Sequence, residues 1–181
     1  VTRPPIHLVV GETTVRFERV GDRWHHAVSV ANGQDAAWRS VEGPLGDGDD
    51  RWPASPVFVE VTRLGSATDS PVMAVGQAGR THFSAVILPD ASRPGAVRFD
   101  LAARVNEAPR ALGSTYRFVN AGGLSPPCAA PLHVVPIDRE ETLPRTVRWS
   151  YRFSPEGIAV LDGHEKPAAP GGDPREPPAP A

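Results

Sequence analysis

Cysteine, lysine and methionine occur once each in this chain of 181 residues, as Cys128, Lys166 and Met73. The lone cysteine excludes an intramolecular disulfide and every zinc site built on two or more thiolates. No apolar run approaches the roughly 20 residues of a membrane-spanning helix, so no membrane span is expected. Charge of either sign is not in excess. Nineteen basic and 21 acidic side chains leave a formal net charge of −2, which removes the electrostatic footprint of a general nucleic-acid binder. Glycine-rich stretches are not followed by helical patterns, so phosphate-loop and dinucleotide motifs are missing and no cofactor is expected. Ser125 likewise lacks the G-x-S-x-G turn of a nucleophile elbow.

Helix-forming sequence is scarce too. Proline (21) and glycine (17) together exceed one residue in five, and each interior proline costs a helix about 3 kcal/mol. The nearest approach to a helical pattern is Asp35 to Val41, about two turns long.

What the chain does have is alternation with period two. Residues 15–20 (VRFERV) and 23–30 (RWHHAVSV) flank Gly21-Asp22, a hairpin pattern. Within the second run Trp24, His26, Val28 and Val30 share one face, and Arg23, His25 and Ser29 the other. Further strand patterns cover residues 57–64, 72–77, 80–88, 97–105, 114–120, 132–137 and 146–153, and a turn at 154–157 leads into a last one. These runs predict an all-β fold, an antiparallel β-sandwich of jelly-roll or immunoglobulin-like type with roughly ten strands and little helix. One domain is expected over residues 1–163, with a Pro/Ala-rich extended tail over 164–181.

Chemistry-bearing residues are few. Exposed tryptophan on sandwich loops can stack a sugar ring, which nominates Trp38 and Trp52 beside the long loop 43–56, together with Trp24 and His25. The competing reading places Trp24 and His26 in the core and lets the tryptophans plug the sandwich ends. His25 beside Arg23 suits an anion or a metal. A metal would need His7, His82 or His133 to converge, because adjacent His25 and His26 point to opposite faces of a strand. Asp47, Asp49 and Asp50 offer calcium-type oxygen ligands, but Arg51 occupies a ligand position and the EF-hand pattern fails. Cys128 near His133 suggests a thiol nucleophile, yet nothing nearby in sequence would lower the thiol pKa. Arginines 98, 104, 117, 148 and 152 fall opposite apolar strand faces and predict either an acid-binding stripe or pairing with Asp100, Glu107, Glu140 and Glu141.

The expected function is therefore a non-enzymatic binding or structural module, with a glycan or a protein as partner and no nucleic acid. The rival class is a small sandwich enzyme or metal protein in which His82, His133 and Cys128, or His25 and the Asp47–Asp50 loop, meet in a pocket; whether His26 joins such a cluster is left open by the sequence.

Overall fold

A computed structural model describes residues 3–30, 36–44, 51–120, 129–134 and 142–161. Alternating sequences become strands because successive side chains point to opposite faces, so one face can be dry and the other wet. The first sheet is built from β1 (Ile6–Val10), β2 (Thr13–Val20), β3 (Arg23–Val30), β4 (Ala36–Ser40), β9 (Gly113–Asn120) and β10 (Ala129–Val134), adjacent in that order. The second holds β12 (Gly157–Leu161), β11 (Arg145–Ser154), β8 (Val97–Val105), β7 (Thr81–Pro89), β6 (Val72–Ala78) and β5 (Glu60–Arg63), again in spatial order. All described strand pairings are antiparallel. The architecture is the two-sheet, all-β fold expected, with no helix among the described residues.

Two features depart from the pattern reading. The stretch with the nearest helical spacing forms β4, because pairing with β3 and β9 satisfies its backbone on both sides. The apolar run Ile6–Val10 forms β1, hydrogen-bonded to β2. Other expectations fall outside the described residues: the tail over 164–181, Cys128, and Asp47, Asp49 and Asp50.

The hairpin at Gly21 forms as its sequence suggests, with Gly21 at φ 63°, a backbone conformation that costs a side chain but not glycine. Between the sheets, Phe17, Trp24, Phe58, Phe99, Tyr116, Tyr151 and Phe153 are almost fully buried. Burying each is worth about 1.5–3 kcal/mol before ordering costs are subtracted.

The segment 57–59 ties the two sheets together. The Trp24 amide of β3 donates to the Phe58 carbonyl (2.7 Å), and the Val59 amide donates to Val75 of β6 (2.9 Å). Gly76 makes this crossing possible, since a Cβ there would lie 2.0 Å from the Val57 carbonyl oxygen.

Candidate functional site

The alternation of β3 decides where the sequence candidates go. Trp24 and His26 point inward, and His25 points outward. Trp24 is 2% exposed and Trp52 is 6% exposed. Burial takes both out of any solvent-facing platform, in keeping with the core reading of Trp24. Trp38 is half-buried on the inner side of β4, packed against the core. His25 therefore lies on the opposite face of the sheet from Trp24 and Trp38, and the four residues do not form one site.

Trp38 instead has a partner that the sequence reading passed over. Trp38 and Phe118 are register partners on β4 and β9, and their ring centroids are 4.9 Å apart at 55°. Phe118 is 37% exposed although it sits on the inward-facing side of its strand. The signal was present in residues 114–120, where Tyr116 and Phe118 fall on the same face.

One register step away, the inner face is polar and closed. His26 Nε2 lies 2.7 Å from the Tyr116 hydroxyl, which lies 2.8 Å from the Tyr151 hydroxyl. On the same inner face, the Ser114 hydroxyl oxygen accepts from Trp149 Nε1 (3.0 Å). His26 Nδ1 is buried with no partner. We therefore assign the ring proton to Nε2, since a bare lone pair is tolerated better than an orphaned N–H. Burial drives the His26 imidazole down to about 3, with the neighbouring His25 adding a smaller push, and drives Tyr151 up to about 12. Tyr116 is also raised well above its ordinary value by burial. All three rings are neutral at pH 7, so this network holds protons in place and supplies no base near neutrality.

Ser40 and Glu42 sit where β4 parts from β3. The His26 amide donates to Ser40 Oγ (3.1 Å), and the Ser40 proton lies between the His26 carbonyl (3.1 Å) and Glu42 Oε1 (2.6 Å). The hydroxyl thus stands in for strand pairing that has ended at Ala27 and Arg39. Glu42 Oε2 is buried without a hydrogen-bond partner. Burial raises its carboxyl to about 7, against the lowering pull of Ser40 and of the Arg23 charge.

The outer faces carry charge. His25 is half-buried opposite Glu18, and burial together with the Arg23 charge holds its imidazole below the usual range. Arg23 bonds Asp22 (3.0 Å). His82 is exposed on the outer face of β7, in the other sheet, and His133 lies opposite Ser114 in the register of β10 and β9. Among the described residues no three His, Cys, Asp or Glu side chains group as metal ligands. Of the arginines on β8 and β11, Arg98 pairs with Asp100 (2.8 Å) and Arg152 with Asp90 (3.6 Å). Glu107 pairs instead with Arg51 (3.8 Å).

No protein-family model, curated protein or solved structure matches this chain. The chemistry of its own residues has to carry the functional reading. That chemistry consists of a half-open aromatic pair, a closed neutral network beneath it, and arginine-bearing outer faces.

Proposed function

We propose that this chain is a non-enzymatic β-sandwich binding module whose ligand stacks on the Trp38–Phe118 pair. One observation carries the reading. Phe118 faces the inner side of its sheet beside Trp38, yet more than a third of its surface meets water. An aromatic pair at the margin of a closed core offers a flat apolar surface of the kind that takes a sugar-ring face or a proline-rich or aromatic protein segment. Trp38 is packed against the core and so is pre-ordered, which reduces the entropy a ligand must offset. The buried His26, Tyr116 and Tyr151 are protonated as neutral groups and bonded to one another, which suits a scaffold beneath the platform rather than proton transfer to a substrate.

The test is a thermal-shift screen of wild type and Phe118→Ser against neutral oligosaccharides of several linkages and a proline-rich peptide. A ligand that binds the native state raises its melting temperature. At least one compound is expected to raise it for wild type and to lose most of that effect in Phe118→Ser. The reading fails if no compound acts, or if those that act stabilise both proteins equally.

A further inference from the structure

The outer face of the first sheet carries a charge arrangement that the fold itself does not need. Arg39 of β4 and Arg117 of β9 are register partners, directly opposite each other, and both are exposed. Cβ atoms of directly opposed residues lie about 4.5–5.5 Å apart, and like charges so placed repel. Among the described residues neither guanidinium meets a carboxylate, whereas the opposed pair Arg98 and Arg152 on the second sheet is neutralised by Asp100 and Asp90. The next position of the row on either side is an alanine, Ala27 on β3 and Ala129 on β10. Beyond Ala27 stands Arg16, already paired with Glu18, about 10 Å from Arg39 by strand spacing. Two residues along the same strands, Ala37 and Val119 pair on this face, and Val119 is 36% exposed.

We infer that Arg39 and Arg117 form a carboxylate clamp that docks an acidic protein segment across β4 and β9. This site lies on the opposite face of the sheet from the Trp38–Phe118 pair and does not depend on it. A carboxylate placed between two guanidinium forks accepts charge-assisted hydrogen bonds from both and removes their mutual repulsion. Val119 supplies an apolar contact beside the clamp for the residue flanking the bound acid. A protein segment is favoured over a long polyanion by the short reach of the patch. Along the described row the two forks are followed by Ala27 and then by Arg16, already paired with Glu18, and apolar Val119 lies beside them, which suits one or two acids next to an apolar residue.

The experiment is an NMR titration of the full chain with a hexaglutamate peptide at low salt, repeated with Arg39→Ser/Arg117→Ser, with Arg104→Ser/Arg148→Ser on the second sheet, and with Phe118→Ser. Shifts are expected at residues 37–39 and 117–119, with affinity falling at least about tenfold in the first double variant. The Arg104→Ser/Arg148→Ser protein and Phe118→Ser should bind as wild type does, and raised salt should weaken binding. No binding by wild type, or equal loss in the two double variants, overturns the clamp. Inorganic polyphosphate binding more tightly than the peptide at the same residues overturns the protein-segment assignment. Because Phe118→Ser keeps the clamp, loss of the platform and loss of the clamp are read separately.

Discussion

His26 and Tyr116, separated by 90 residues in sequence, are joined by a buried hydrogen bond of 2.7 Å between Nε2 and the phenol oxygen. The bond links neighbours across β4, which lies between β3 and β9 in the sheet, and passes the polar chain on to Tyr151 of the facing sheet. A polar network in an apolar core is stabilising only while every member has a partner, and His26 already leaves Nδ1 unmatched.

Tyr116→Phe keeps the ring and removes the hydroxyl, leaving His26 with no side-chain hydrogen bond in the network. The unfolding free energy should fall by about 1–3 kcal/mol in a urea titration. Tyr151→Phe should cost less, because Tyr116 would still hold His26. A double-mutant cycle between positions 116 and 151 should show coupling above about 0.5 kcal/mol. Equal, additive losses would contradict the chain as described.

Glu42 links the same region to pH. Its folded carboxyl is raised from 4.5 to about 7, so the native state holds a proton that the unfolded chain gives up earlier. Its contribution is therefore complete below about pH 4.5 and is lost as pH rises through about 7. Glu42→Gln should be more stable than wild type at pH 8, by about 1–3 kcal/mol, and should lose that advantage by pH 4.5. His26 acts with the opposite sign. Its folded value of about 3 lies below the ordinary 6.5, so its contribution is present above 6.5 and is lost as pH falls towards 3. Between about 4.5 and 6.5 the two oppose each other in wild type. In Glu42→Gln the acid loss from His26 should emerge as a decline starting below pH 6.5, read from denaturant midpoints across the range.

Gly76→Ala tests the crossing of segment 57–59. The added methyl would sit 2.0 Å from the Val57 carbonyl oxygen and 2.9 Å from the Val59 nitrogen, both backbone atoms. Relief requires the crossing strand to move, which would break the Trp24–Phe58 and Val59–Val75 hydrogen bonds that join the sheets. A loss above about 4 kcal/mol, or failure to fold, is expected. Gly21→Ala is the comparison. Nothing lies within 4 Å of its added Cβ, so only the cost of the φ 63° conformation remains, about 1 kcal/mol.

The strands with clean alternation could be read directly. Residues 23–30 and 97–105 were bounded as the structure has them, because a period of two with one dry face admits no other regular element. Ile6–Val10 is apolar at every position but His7 and has a half-buried flank on both sides of Leu8, so five residues show too little alternation to mark a strand. Residues 36–40 have a spacing that suits a short helix as well as a strand, and only the partners Val28 and Phe118, distant in sequence, decide between them. The polar network was half legible. That His26 would face inward and require a polar partner follows from β3 alone, but Tyr116 as that partner depends on which strands lie side by side. Which tryptophans reach the surface was not legible for a related reason. Tryptophan type signals a large apolar surface but not which side of the sheet receives it, and Trp24 and Trp52 went to the interior while Phe118 stayed partly outside.

The most direct measurement of the binding proposal is the indole N–H spectrum of the four tryptophans during titration with whichever compounds the thermal screen selects. Trp24, Trp52 and Trp149 are buried, so Trp38 alone among them presents its ring beside an exposed aromatic. The Trp38 indole resonance should shift in saturable fashion, the other three should change little, and Phe118→Ser should weaken the titration by about tenfold or more, equivalent to at least about 1.4 kcal/mol. Saturable binding with the Trp38 resonance unmoved would contradict the proposed platform.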